Sequence, residues 1–159
     1  MPTDIEAGVR DYYGKTLKSG ADLKTDACCS PSNLPRPVRE ALAKVSDEVV
    51  SRYYGCGMTI PSELAGLSVL DLGSGSGRDC YILSQLVGKA GRVTGVDMTD
   101  EQLEVAERNR AHHAQAFGYG NVEFLKGDIS RLDAIGLKDA SFDLIVSNCV
   151  INLARDKEA

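Results

Sequence analysis

Hydrophobic and polar positions alternate in blocks from residue 67 onward, and the blocks have two different periods. Short apolar runs bounded by glycine and polar residues predict buried strands, and between them apolar residues recur at helical intervals. The predicted strands are LSVLDL from residue 67, GRVTGVD from residue 91, NVEFL from residue 121 and FDLIVSN from residue 142. The predicted helices are GRDCYILSQLVG, which ends at Gly88, and a second one that runs from a capping box at Thr99 and Gln102 to about Phe117.

The first 60 residues have a different pattern. Apolar residues at helical spacing predict one helix from Asp4 to about Leu17 and another from Pro37 to Gly55, and the proline-punctuated run CCSPSNLPRP between them predicts a loop. We therefore expect two regions. Residues 1–60 are predicted to form an N-terminal helical cap with a cysteine-containing lid loop, and residues 61–159 a Rossmann-like domain.

Strands that alternate with helices predict a parallel sheet with right-handed crossovers and helices on both faces. The expected fold class is therefore α/β, a doubly wound Rossmann-like sheet. In such folds a ligand binds at the carboxyl ends of the strands, where the strand order reverses.

Composition and charge narrow the possible partners. The chain has 159 residues, 43% of them hydrophobic, and a net charge of −5, which fits one soluble domain and repels nucleic acid and anionic lipid. No apolar stretch approaches a membrane span, and the first residues lack a secretory signal pattern. We expect no nucleic-acid or membrane partner and a cytoplasmic location.

The five cysteines are an odd number, and in a reducing compartment they are expected to be free thiols. Their spacing contains no C-x-x-C pair, which gives little support to a structural zinc site. They are therefore candidates for chemistry.

The run VLDLGSGSGRD at residues 69–79 joins a predicted strand to a predicted helix. Such a glycine loop lets the backbone approach a ligand closely. The dinucleotide fingerprint G-x-G-x-x-G is not matched, because Arg78 stands where its last glycine belongs, and this weakens a nicotinamide interpretation. Asp97 closes the next strand, where a carboxylate can bind ribose hydroxyls, and Asp128 follows the third strand, where it could face adenine. The loop's candidate ligand-binding residues are Asp71, Gly73, Ser74, Gly75 and Gly77.

The glycine motif with an acid closing the following strand resembles S-adenosylmethionine-dependent methyltransferases of the Rossmann-like class. More narrowly, RYYGCGMTIP, DLGSGSGRDCYILSQLVG, VTGVDMT and SNCVINL resemble arsenic(III) S-adenosylmethionine methyltransferases, and the resemblance extends from YYGKTL at residue 12 onward. It implies methylation of arsenite or its thiol conjugates, with S-adenosylmethionine as cofactor. The residues that it implies for cofactor contact are Tyr54, Gly73, Ser74, Gly75, Asp97, Met98, Gln102, Ile129 and the region of Asn148.

The same resemblance implies that Cys28, Cys56 and Cys149 handle arsenic. Independently, thiolates are the soft ligands that trivalent arsenic prefers, and Cys149 follows the strand that should lie beside the glycine loop. Methyl transfer to an arsenic lone pair removes no proton, so His112 and His113 are expected to be solvent-facing bystanders. Cys80 is expected in the core; Cys29 stays ambiguous.

Three functional interpretations remain open: an arsenite methyltransferase, a methyltransferase of a small organic substrate, and a non-catalytic arsenic-binding thiol module. The first implies a small-molecule thiol or a thioredoxin-type reductant as a partner. In the resemblance a fourth arsenic-handling cysteine would lie beyond Ala159, so we expect a fragment with impaired turnover. An exposed outer edge of the last strand would favour self-association.

Overall fold

The computed structural model describes residues 4–18, 34–55, 57, 60, 61 and 63–153. In chain order, the elements are α1 (Asp4–Asp11), a π-helical turn (Tyr12–Thr16), α2 (Arg36–Leu42), α3 (Asp47–Ser51), β1 (Ser68–Leu72), α4 (Arg78–Val87), β2 (Arg92–Asp97), α5 (Asp100–Arg108), α6 (Arg110–Phe117), β3 (Val122–Lys126), a 3-10 turn (Leu132–Ile135), β4 (Leu144–Ser147) and a second 3-10 turn (Ile151–Leu153).

The four strands form one parallel sheet in the order β3-β2-β1-β4. Leu70 of β1 pairs with Thr94 of β2 on one side and with Ile145 of β4 on the other. The chain moves outward from β1 through β2 to β3 and then returns to the opposite side of β1. The order therefore reverses between β1 and β4, and the predicted α/β, doubly wound Rossmann-like fold is confirmed.

The hydrophobic core surrounds α4, which lies beside β1 and β2 with Cys80, Tyr81, Ile82 and Leu83 fully buried. Helix α2 packs on α4, and its Val38 joins the same apolar cluster. The predicted core position of Cys80 is confirmed. The division of the chain at residues 60 and 61 stays a prediction.

The helix predicted from Pro37 to Gly55 is wrong in its continuity, because the chain forms two short helices there. At Ser46 the backbone is extended, with φ −60° and ψ 144°. Its N–H donates to Nε2 of His113 at 3.1 Å, and its hydroxyl donates to Oδ1 of Asn109 at 2.8 Å. These contacts to a distant helix replace the bonds that a continuous helix would make.

The second long helix is also divided, at Asn109, whose side-chain amide donates to Val105 O and to Glu48 Oε2, both at 2.8 Å. The predicted capping box does not form. The Thr99 side chain makes no capping hydrogen bond, and the Gln102 amide donates to the carbonyl of Tyr13 at 3.3 Å instead. Both changes result from packing against N-terminal segments.

The expectation that His113 faces solvent is wrong. Its ring is buried, stacks on Tyr81 with centroids 3.7 Å apart, and accepts the Ser46 N–H. Burial lowers the pKa of His113, which favours the neutral ring. His112 is exposed, as expected.

Strand β4 lies at one edge of the sheet formed by the described residues, and its Ile145 is 57% exposed. Self-association through this edge stays a prediction. Within the described part of the chain, the helices are too short or too polar to span a membrane.

We predict that Gly77→Ala is more destabilising than Gly118→Ala. Both glycines have positive φ, +85° and +82°, so alanine costs each about 1–2 kcal/mol of backbone strain. At Gly77 the added Cβ would also lie 2.6 Å from Cζ of Phe124, whereas at Gly118 it meets nothing within 4 Å. The overlap should add about 1–3 kcal/mol to the loss in free energy of unfolding, measured by urea denaturation. Equal losses would contradict the close packing of α4 on β3.

Candidate functional site

A cavity of about 530 Å³ opens at the carboxyl ends of β1, β2 and β4, where the strand order reverses. Segments from the N-terminal helices and from the loops after β3 and β4 complete its walls. All the predicted cofactor residues except Gly77 line this cavity: Tyr54, Asp71, Gly73, Ser74, Gly75, Asp97, Met98, Gln102, Asp128, Ile129 and Asn148. Their roles in binding stay predictions.

The glycine loop forms the floor of the cavity. Gly73 has φ +78°, and a Cβ there would lie 2.6 Å from Val150, so a side chain is excluded. At Gly75, with φ +54°, a Cβ would meet only Gln102 Oε1, at 3.8 Å. The backbone of Gly75 is therefore open to close approach by a ligand. Gly77 lies behind the loop, against Phe124, and serves packing.

Asp97 links the glycine loop to the start of α5. Its Oδ2 accepts the N–H of Gly75 and its Oδ1 the N–H of Thr99, both at 2.8 Å. Burial raises the pKa of this carboxyl, and these two backbone donors oppose the shift. Each oxygen keeps a second lone pair, so the group can also accept ligand hydroxyls.

Two further carboxylates lie deeper in the cavity wall. Asp71 is 3% exposed and accepts the Cys80 thiol at 3.3 Å. Burial, and then the neighbouring charge of Asp79, raise the pKa of Asp71 to about 8. Burial also raises the pKa of Asp79, although Arg78 opposes that shift. The site therefore concentrates carboxyl groups at the end of β1 and the start of α4, and their burial favours the protonated form.

Sequence reasoning missed Tyr53, Arg78 and Asp79. The Arg78 guanidinium lies over the Tyr53 ring, 3.7 Å from its centroid, and its Nε is 3.6 Å from Asp79 Oδ1. Arg78 is 7% exposed, although arginine is almost never fully buried unless it is paired. The only sequence signal was a charged pair, RD, inside an otherwise apolar buried helix.

Asn148 connects the loop after β4 to the N-terminal region. Its side-chain amide contacts the Tyr53 hydroxyl, the Gly57 carbonyl at 2.8 Å and Asp79 Oδ2 at 3.3 Å. The Tyr53 hydroxyl in turn donates to the Gly57 carbonyl at 2.9 Å. Gly57 directly follows Cys56 in sequence, so this network fixes the chain next to one predicted arsenic-handling cysteine and next to Cys149.

The N-terminal helix and the π-helical turn close the side of the cavity. Val9 and Tyr13 line it, and the Tyr13 carbonyl accepts the Gln102 amide. The Tyr54 hydroxyl donates to the Leu17 carbonyl at 3.2 Å, and the rings of Tyr13 and Tyr54 are 6.0 Å apart. These N-terminal segments therefore form one side of the cavity, whereas the division of the chain into a cap and a domain stays a prediction.

Asp128 also lines the cavity and is exposed. Its Oδ1 accepts both the N–H and the hydroxyl of Ser130 at 2.9 Å, which shapes the turn after β3. The neighbouring Ile129 is partly buried and offers apolar surface to the cavity.

Cys149 lies at the rim, exposed, with φ +59° in the left-handed region that side chains seldom adopt. It is disulfide-bonded, so the expectation of free thiols is wrong for this residue, whereas Cys80 is free. Cys28, Cys29 and Cys56 lie outside the described residues. Among the described residues no group of three histidine, cysteine or acidic side chains could hold a metal ion, which leaves the three-cysteine site untested.

Residues 63–159 match a protein family described as a methyltransferase domain. The chain belongs to this methyltransferase domain family. The relatives of this methyltransferase-domain chain include the arsenite methyltransferase of Aquipseudomonas alcaligenes, 56% identical over 98% of this chain and 45% of the relative. The human arsenite methyltransferase is 51% identical over 98% of this chain and 42% of the relative.

A solved structure, of an arsenic(III) S-adenosylmethionine methyltransferase from Chlamydomonas reinhardtii, is 54% identical and superposes with a TM-score of 0.76 over 78% of this chain and 42% of that one. The resemblance to this family is confirmed. The methyltransferase-domain chain spans less than half the length of these relatives.

We predict that Asp71 contributes a fall in the free energy of unfolding of the ligand-free chain as pH rises from 5 to 8, which opposes the rise that the lowered pKa of His113 contributes. Folding raises the pKa of Asp71 from its ordinary 3.8 to about 8, so in this window the folded state binds more protons than the unfolded state. Stability therefore decreases with pH, by up to about 1.4 kcal/mol per pH unit for one such carboxyl.

Asp71→Asn removes this contribution, and urea denaturation at pH 5.5, 7 and 8.5 should show a shallower decline. The control is Asp143→Asn, at the other end of β1, where the carboxylate accepts the Ser68 N–H. Parallel pH profiles for the unmodified protein and Asp71→Asn would contradict the buried, protonated state of Asp71.

Proposed function

We propose that this chain binds S-adenosylmethionine and takes part in transferring its methyl group to trivalent arsenic held by cysteine sulfur. The observation that carries the proposal is that one cavity is lined by the glycine loop, Asp97 and Cys149 together. The similarity to arsenite methyltransferases over 98% of the chain supports it.

The residues present fit this cofactor. The open backbone at Gly75 permits close approach, and Asp97 keeps acceptor capacity for ribose hydroxyls. The excess of carboxylates around Asp71 suits a ligand that carries positive charge. When bound, S-adenosylmethionine supplies a methyl group on a sulfonium sulfur.

Trivalent arsenic suits the sulfur at the cavity rim, because thiolates are soft ligands. Its lone pair can act as the nucleophile, and no proton has to be removed. The protein's task is then to position arsenic and to exclude water, without a general base. Cys149 is the described member of the proposed ligand set, and Cys28 and Cys56 join it on the strength of the resemblance alone.

The disulfide at Cys149 bears on the partners that we propose. A sulfur in a disulfide cannot bind arsenic as a thiolate, so the site needs reduction before arsenite enters. We therefore propose arsenite or its thiol conjugates as substrate, and a small-molecule thiol or a thioredoxin-type protein as reductant.

Asp97→Asn is expected to weaken S-adenosylmethionine binding about 10-fold to 100-fold, because hydrogen bonds to a charged acceptor contribute about 1.5–3 kcal/mol. Isothermal titration calorimetry measures the change. Asp100→Asn is the matched control, since this exposed acid in the next turn pairs with Lys126. Unchanged affinity in Asp97→Asn would contradict the ribose-binding role.

Cys149→Ser is expected to lower arsenite affinity at least 10-fold, because one of the proposed thiolate ligands is lost. The measurement is calorimetry after reduction with a phosphine, with and without S-adenosylmethionine. Cys80→Ser is the control, because that thiol is fully buried and serine keeps a donor for Asp71.

Arsenite binding that is equal in both variants would contradict the arsenic site at Cys149. If S-adenosylmethionine bound normally in that case, the organic-substrate interpretation would be favoured. Arsenite binding without cofactor binding would favour the non-catalytic module.

A further inference from the structure

Helix α6 contacts the start of α3 through a buried histidine. The His113 ring is 1% exposed and stacks on Tyr81, with the ring centroids 3.7 Å apart. Its Nε2 accepts the Ser46 N–H at 3.1 Å, and its Nδ1 lies 2.9 Å from the Asn109 carbonyl oxygen. A neutral imidazole has one donor nitrogen and one acceptor nitrogen, so Nδ1 carries the proton and donates to Asn109. The surroundings therefore fit one neutral tautomer of this ring.

This arrangement cannot accommodate a second proton on the ring. In an imidazolium both nitrogens carry hydrogen, so Nε2–H would point at the Ser46 N–H and two donors would face each other. Burying an unpaired donor together with a charge is unfavourable. The ring of His113 and the backbone at Ser46 therefore have to separate when the ring is protonated, and this attachment of α3 to α6 is lost.

The charged groups around the ring do not stabilise a charge on it. The titratable and charged groups on the surrounding elements are Tyr81 of α4, Glu107 and Arg108 of α5, Arg110 and His112 of α6, and Lys44, Asp47 and Glu48 in and beside α3. The Glu48 carboxylate already accepts Arg108 and the Asn109 amide. Burial lowers the pKa of His113, the Asn109 carbonyl opposes this shift, and His112 lowers the pKa further. The neutral ring is therefore the favoured form above the ordinary histidine pKa of 6.5.

Helix α3 connects this histidine to the cavity. It begins directly after Ser46, and its Val49 carbonyl accepts the hydroxyl of Ser76 in the glycine loop at 2.8 Å. Both of these residues are buried, Val49 completely and Ser76 to within 2%. Ser76 and Tyr53, which follows α3 by two residues, line the cavity. A displacement of α3 at Ser46 therefore reaches the glycine loop and the aromatic wall through continuous buried contacts.

We propose that His113 is a pH-sensitive regulatory residue, whose protonation breaks one attachment of α3 and thereby lowers the affinity of the cavity for S-adenosylmethionine. The inference rests on the proposed function and adds a regulation of the same site. A ligand that needs α3 in place binds the neutral form better, so by linkage it also disfavours protonation of the ring. The contribution of His113 to affinity is full above pH 6.5 and is lost as pH falls through the lowered pKa of this ring.

The first test observes the ring in the unmodified protein. The chain contains two histidines, so nuclear magnetic resonance of the histidine-labelled protein resolves each ring. The His113 ring should carry its proton on Nδ1 at pH 7.5 and should titrate below the ordinary value of 6.5. Saturation with S-adenosylhomocysteine should lower the midpoint of this titration further. A midpoint that the ligand does not move would overturn the proposal.

The second test compares variants of the two neighbouring histidines. His113→Gln offers Ser46 an amide oxygen that does not titrate, and His112→Gln is the matched control because His112 is exposed. Calorimetry measures S-adenosylhomocysteine affinity at pH 7.5 and 5.5. The unmodified protein and His112→Gln should lose about 3-fold to 10-fold more affinity at the lower pH than His113→Gln. The cavity carboxyl groups titrate in all three proteins, so this difference isolates the His113 ring.

The outcomes separate this proposal from the proposed function. Binding at pH 7.5 with the same loss of affinity at pH 5.5 in all three proteins would overturn the role of His113 and leave the proposed function intact. If the unmodified protein does not bind S-adenosylhomocysteine at pH 7.5, the proposed function fails, and the link from His113 to the cavity fails with it. If His113→Gln does not fold, the ring titration of the unmodified protein with and without ligand decides.

Discussion

The buried carboxyl groups of Asp71 and Asp79 and the partly buried one of Asp97 lie together at the carboxyl end of this sheet. Because like charges repel, each group needs neighbouring hydrogen-bond donors or a cation, and this requirement determines which side chains surround them. Two backbone N–H groups donate hydrogen bonds to the Asp97 carboxylate, and the Cys80 thiol donates to Asp71. The Asp79 carboxylate receives one hydrogen bond, from Asn148, and has Arg78 Nε at 3.6 Å. Burial raises the pKa of Asp71 and of Asp79, and the charge of Asp79 raises that of Asp71 further, so these carboxyl groups favour the protonated form. Carboxyl groups whose pKa values are raised in this way, in the wall of a cavity, are typical of a functional site.

The walls of the cavity come from segments that are far apart in the chain. Tyr13 contacts Gln102 across 89 residues, and Asn148 contacts Gly57 across 91. The sheet supplies Asp71 and Asp97, and helix α4 supplies Asp79, whereas the N-terminal region supplies aromatic rings and backbone carbonyls. The segment 34–55 also packs into the same apolar core as the sheet, so the folding of the cavity wall and of the sheet are coupled.

The sequence predicted what depends on local pattern. The strands and helix α4 follow from runs of apolar residues between glycines, and the parallel order follows from their alternation with helices. The breaks at Ser46 and Asn109, the burial of His113 and the missing capping box were not predictable, because each results from a contact more than 60 residues away in the chain or from competition for the same donor. The burial of Asp79 beside Arg78 and Asn148 was not predictable for the same reason, since the contact with Asn148 joins residues 69 positions apart.

The backbone conformation of Cys149 depends on contacts made by the residue before it. Its left-handed backbone costs about 1–2 kcal/mol and persists only where neighbouring contacts fix it. The preceding residue, Asn148, supplies those contacts through Tyr53, the Gly57 carbonyl and Asp79. Asp79, which accepts the Asn148 amide, lies buried in the wall of the same cavity. The backbone beside Cys149, the carbonyl that follows Cys56 in the chain and the buried Asp79 are therefore joined through a single amide side chain.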